Sequence, residues 1–177
     1  MNKPYVVVIG SLNYDIIAKQ ERMPEKGETV TGQDVVQGPG GKGANQAAAT
    51  SLLGVPTYMV GKVGDDRFGD ALVGSLQAFK VNVDHIGRLG STGLGLVHSM
   101  PDGDYYSTVI PGANQLIGPE DVDEISDLVS EAEYLILQEE ISLTTTDYIL
   151  EKFADEPVKI VLNDAPGHVL SDQQLSR

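Results

Sequence analysis

The sequence predicts an α/β protein built on a doubly wound, mostly parallel sheet with helices on both faces. Three observations carry this reading. Residues 5–9, "YVVVI", form a continuous apolar run without polar alternation, the pattern of a strand covered on both faces. Strand-like and helix-like segments then alternate along the chain, which is the order a doubly wound sheet requires. Finally, 177 residues with 41% hydrophobic content are enough for one globular domain with its own core.

The elements follow in order. The first strand leads to a glycine-rich loop within "QGPGGKGANQAAA", after which residues 44–53 read as a helix ended by Gly54 and Pro56. An apolar strand is expected near residues 57–60. Asp65 or Asp66 can cap the next helix, in which Phe68, Ala71, Leu72, Leu76 and Phe79 keep helical spacing. The alternation resumes at Pro119, a first helical position before "EDVDEISDLVSEA". It continues with the strand "YLILQ", a helix over residues 145–154 and the strand "VKIVLN". Ser171 is placed to cap a last helix, yet the chain stops about one turn later, and so short a helix has no stability of its own. The expectation is that these residues are the first part of a longer design.

Two segments interrupt the alternation. In the first, residues 14–19 and 28–37 read as strands on either side of Pro24 to Gly27; in the second, Pro101, Asp102 and Gly103 turn the chain within "GLGLVHSMPDGDYYSTVI". Together, within 12–37 and 92–111, they are expected to form a small antiparallel sheet. It would project as a lid beside the C-terminal strand ends, where folds of this class bind ligands.

Charge and composition narrow the partners. A formal net charge of −14, from 26 acidic and 12 basic residues, repels nucleic-acid backbones and anionic membranes. No cysteine is available for a disulfide or a thiolate metal site, which fits a reducing cytoplasm. The apolar run before Gly10 is five residues long, too short for a signal-peptide core or a membrane span. His85, His98 and His168 lie far apart without ligand spacing, so no metal site is proposed.

The glycine loop stands ahead of a helix, whose N-terminus leaves backbone N–H groups unpaired and carries partial positive charge. It is not a nucleotide P-loop, because Val36 and Gly43 occupy positions where that motif needs a glycine and a Ser or Thr. Nor does "IGSLNYD", with Gly10 alone, fit the dinucleotide fingerprint. Two readings stay open for Gly38, Gly40, Gly41 and Gly43: a ligand cradle, or only a tight start to a buried helix.

Gly40, Gly41, Gly43, Asn45, Ala47, Gly54 and Gly64, with "GSLNYD", "KGETVTG", "VGDDRFG", "GAN" and "LNDAP", resemble the ribokinase branch of the phosphofructokinase-B-type carbohydrate kinases. The resemblance spans nearly the whole chain and implies transfer of the γ-phosphoryl group of ATP to a sugar hydroxyl. It places the glycine loop against the sugar. Asn13 and Asp15 match positions that hold sugar hydroxyls, Gly40, Gly41, Lys42 and Asn45 close the other side, and Glu140 aligns with a further sugar-contacting carboxylate, with Glu139 beside it. The chemistry is consistent: a carboxylate accepts from both hydroxyls of a vicinal diol, while lysine and asparagine donate to sugar oxygens. The plainer roles are turn stabilisation for Asn13 and Asp15 and a solvated surface for Lys42.

The resemblance also implies ATP and Mg2+ for the complete enzyme, with the catalytic base in its second half. Segments resembling D-T-x-G-A-G-D and N-x-x-E do not occur in the 177 residues, so no catalytic residue is assigned and the chain alone is expected to be inactive. Two alternatives remain: a non-catalytic sugar-binding or regulatory module, and a nucleoside kinase of the same fold. Ile16, Ile17, Leu94, Leu96 and Val97 would give the lid an apolar face, and with the resemblance this points to a homodimer through the lid.

Overall fold

The computed structural model describes residues 4–167, so the helix expected at Ser171 lies outside the described residues. The body holds β1 (Val6–Ile9), α1 (Lys42–Leu52), β4 (Thr57–Val63), α2 (Arg67–Ala78) and β5 (Asn82–Arg88). After a 3-10 turn at Gly112–Leu116 it continues with α3 (Pro119–Glu124), α4 (Ser126–Ser130), β8 (Tyr134–Gln138), α5 (Leu143–Lys152) and β9 (Lys159–Asn163). The lid holds β2 (Asn13–Lys19), β3 (Asp34–Gly40), β6 (Gly93–Ser99) and β7 (Tyr105–Ile110).

The five body strands pair in parallel in the order β5-β4-β1-β8-β9. The unbroken apolar run of β1 is explained by two cores. Val7 and Ile9 pack with Leu135, Leu137, Ile149 and Phe153 on one face, whereas Val6 and Val8 pack with Ala44, Ala47, Met59, Leu72 and Leu76 on the other. Successive side chains of a strand alternate between faces, so every residue of a doubly covered strand must be apolar. Helices α1 and α2 therefore cover one side and α3 to α5 the other.

The lid corrects one expectation. It is a mixed sheet in the order β3-β2-β6-β7, antiparallel within each hairpin but parallel between β2 and β6. The cause is connectivity: β2 and β6 each leave the body from the C-terminal end of a parallel strand, β1 and β5, so both run outward side by side. β3 also begins later than expected, at Asp34. Arg22 holds both oxygens of Glu28, and the Glu25 N–H donates to the same carboxylate at 2.9 Å, which commits Glu28 to a turn. The single helix expected after Pro119 breaks at Ile125, where φ is −108° and ψ 14°.

Asp66, rather than Asp65, caps α2, accepting from the N–H groups of Phe68 and Gly69 at 3.1 and 2.9 Å. Its carboxylate also accepts from Thr92 N at 2.9 Å and Thr92 Oγ1 at 2.7 Å, so one side chain starts the helix and anchors the root of β6. These bonds to its charged form outweigh burial and hold the carboxyl below its ordinary pKa. No helix among the described residues is long and apolar enough to cross a membrane.

Candidate functional site

The chain order reverses direction across the sheet between β1 and β8, and ligands of open α/β sheets bind at the C-terminal strand ends beside such a switch point. Here those ends supply Ser11, Leu12 and Asn13 after β1, and Glu139 and Glu140 after β8. The lid rises from the same place, because β2 begins at Asn13.

The N-terminus of α1 lies across this junction, and its unpaired donors are met from within the chain. Lys42 N–H donates to Glu140 Oε2 at 3.3 Å, Gly43 N–H to Ser11 Oγ at 3.3 Å, and Ala44 N–H to the Ser11 carbonyl at 3.0 Å. Glu140 also accepts from Lys42 Nζ at 2.7 Å and from Ser11 Oγ at 2.6 Å. The helix end that a phosphate would favour is thus occupied by an internal carboxylate. Burial alone would raise the Glu140 carboxyl, but the hydrogen bonds from Lys42 and Ser11 outweigh it and hold the pKa below the ordinary value.

Close backbone approach explains two of the glycines. A Cβ on Gly43 would stand 2.7 Å from the Gly10 carbonyl carbon and the Ser11 nitrogen. Gly41 has φ +92°, and its Cβ would stand 2.7 Å from Asn13 N. Gly40 and Gly95 make room for a side chain instead: a Cβ on either would collide with the Asp15 carboxylate, which lies between them in the lid. Burial, and then the nearby Glu140 charge, push the Asp15 carboxyl above its ordinary pKa, with Lys42 opposing.

A cavity of about 230 Å³ opens here, lined by Asn13, Val109, Pro111, Asn114, Glu139 and Glu140 among others. This is below the roughly 300–1,000 Å³ of sites for drug-sized molecules. Asn13 and Glu140 share this cavity, Lys42 is bound to Glu140, and Asp15 is coupled electrostatically to both. Asn45 is not with them: it is exposed and lines a separate groove of about 60 Å³ with Pro39, Gly40, Leu72 and Phe79. Sequence reasoning did not single out Ser11, which is fully buried between Glu140 and the helix end. Its position directly after Gly10 at the end of the first strand was the available signal.

Comparison with known proteins bears on the family and the fold. Residues 3–155 match the pattern of the pfkB family carbohydrate kinases. The chain is 34% identical over 171 residues to a ribokinase of Bacillus subtilis and 32% identical over 164 residues to a deoxyribokinase of Salmonella typhi. These alignments take in 96% and 92% of the chain but only 58% and 54% of the two relatives, so the chain spans little more than half their length. Among solved structures, Arabidopsis thaliana ribokinase complexed with ribose and ATP superimposes with a TM-score of 0.81 at 30% identity, over 94% of this chain and 55% of that one. A parallel sheet crossed at its switch point by a glycine-started helix and roofed by a mixed four-stranded sheet is thus shared along with the sequence pattern, and the chain belongs to the pfkB family of carbohydrate kinases.

Proposed function

We propose that residues 1–177 are the sugar-binding N-terminal part of an ATP-dependent, ribokinase-type sugar kinase. The observation that carries this is a set of opposed donors and acceptors at and beside one strand-end cavity: the amide of Asn13 and the carboxylate of Glu140 line it, the ammonium of Lys42 is bound to Glu140, and the carboxylate of Asp15 stands two residues from Asn13 on the same strand face. A sugar presents adjacent hydroxyls that each donate and accept, and such a mixed set can satisfy them. Asp15 would accept from a vicinal pair while Lys42 keeps Glu140 charged. Asn45 would take part only from the neighbouring groove.

Among the described residues no three His, Asp or Glu side chains converge to hold a metal ion. We assign ATP, Mg2+ and the catalytic base to the half present in the longer relatives, because segments resembling D-T-x-G-A-G-D and N-x-x-E do not occur in the 177 residues. The lid face that carries Asp15 continues into Ile17, Val36, Val97, Val109 and Tyr105, of which Val36, Val109 and Tyr105 are exposed. A second copy of the chain would cover this face.

Fusing the second half of the Bacillus subtilis ribokinase after Arg177 tests the proposal. The fusion should release ADP in a ribose-dependent way and sediment as a dimer, and the 177-residue chain alone should release none. A folded fusion without activity, or equal activity from the chain alone, contradicts the reading; a monomer at high concentration removes the dimer.

A further inference from the structure

The "GAN" triplet, Gly112 to Asn114, ends in an asparagine only 1% exposed, at the point where the chain crosses into and out of the lid. Asn114 Oδ1 accepts the Leu12 N–H at 2.9 Å. A backbone N–H can only donate, so that end of the amide is the oxygen. Its Nδ2 faces the Leu12 carbonyl at 3.2 Å, the Pro111 carbonyl at 2.9 Å and the Asn13 side chain at 2.8 Å. Carbonyls only accept, which confirms this end as the NH2 group. The Asn13 atom facing it must then be the oxygen, and the polar end left for the cavity that Asn13 lines is its own NH2. Gly93 allows the meeting, since a Cβ there would collide with Asn13 Oδ1 and stand 2.5 Å from Asn114 Nδ2.

We propose that Asn114 is a positioning residue that locks the Asn13 amide with its NH2 group toward the cavity, so that the site selects a ligand oxygen able to accept there. The proposal rests on reading the cavity as a sugar site and adds polarity to it. Asp15 stands two residues along the same strand face. One hydroxyl accepts from Asn13 while its neighbour donates to Asp15, which defines a vicinal diol. A sugar lacking the accepting oxygen leaves a buried donor unpaired and is rejected.

Side-chain amide spectra of the 15N-labelled chain test the lock without any sugar. The Asn114 NH2 protons should exchange slowly with water, and Asn114→Ala should move the Asn13 NH2 signals. Fast exchange at Asn114, or unmoved Asn13 signals, overturns the proposal. With ribose, Asn13→Ala and Asn114→Ala should each weaken affinity about tenfold, the scale of one lost hydrogen bond to a buried group. If Asn114 acts through Asn13, the double variant loses no more than Asn13→Ala alone; additive losses overturn the proposal. Asn13→Asp covers the case in which Asn114→Ala does not fold. It keeps an acceptor toward Asn114 and removes the donor, so it should fold and lose about tenfold or more in affinity. Unchanged affinity overturns the lock. A wild-type chain that bound no ribose would remove the sugar reading, and the amide spectra alone would then decide the role of Asn114.

Discussion

Asp15→Asn is expected to weaken ribose binding by about 10- to 100-fold, the range for a hydrogen bond to a charged group, and at the same time to make the chain harder to unfold. Both effects have one cause. The Asp15 carboxyl is pushed up by burial and then by the Glu140 charge, so its ionised form at neutral pH opposes folding while offering two acceptors to a diol. Because the folded pKa is raised, the folded state binds the proton more tightly, and the penalty is present above the raised pKa and vanishes as pH falls through it. The stability advantage of the asparagine variant should therefore be largest at neutral pH and shrink on acidification, as wild-type Asp15 becomes neutral as well. Wild-type affinity should fall over the same pH window. Calorimetry with ribose and urea unfolding at two pH values measure both, and a variant that binds ribose as tightly as the wild type would contradict the role given to Asp15.

The second large effect is structural. Gly41→Ala should destabilise the chain severely, because two independent penalties fall on one residue. The backbone stands at φ +92° and ψ 138°, a region nearly confined to glycine, at a cost of about 1–3 kcal/mol for other residues. The new Cβ would also meet Asn13 N at 2.7 Å and Ser11 O at 2.9 Å, and forced overpacking adds about 1–3 kcal/mol. Small domains have only about 5–15 kcal/mol to lose. Gly38 provides the control in the same motif: no atom stands within 4 Å of a Cβ placed there, so Gly38→Ala should change stability by less than about 1 kcal/mol. Equal urea midpoints for the two variants would contradict the close packing of α1 on the β1–β2 connection.

These glycines show what could be read from the sequence and what could not. A glycine loop before a helix is visible in sequence, and so was the choice between ligand cradle and tight helix start; the structure shows the tight start, and beside it a glycine that makes room for a side chain. Gly41 and Gly43 serve backbone approach, whereas Gly40 makes room for Asp15. The anion at the helix end was not legible, because Glu140 comes from 98 residues away and no local pattern marks such a pairing. Strand β1 was legible, being apolar throughout and buried on both faces, and β8 by its central apolar run Leu135, Ile136 and Leu137. By contrast, β5 was missed: at the sheet edge, "NVDHIGR" is only partly buried, and Asp84, His85 and Gly87 break any apolar period. The parallel pairing of β2 with β6 was hidden for a different reason, since two well-marked hairpins say nothing about how they sit side by side. A cap at Asp65 or Asp66 was legible, but the second task of Asp66, holding Thr92, depends on a contact 26 residues away.

The sugar site itself is tested most directly by titrating the labelled chain with ribose and following backbone amide signals. The predicted shifts cluster at Asn13, Asp15, Gly41, Lys42 and Glu140, beneath the lid and beside the helix start. Shifts confined instead to the groove around Leu52, Val55 and Phe79 at the far ends of α1 and α2, or no shifts at any ribose concentration, would contradict it.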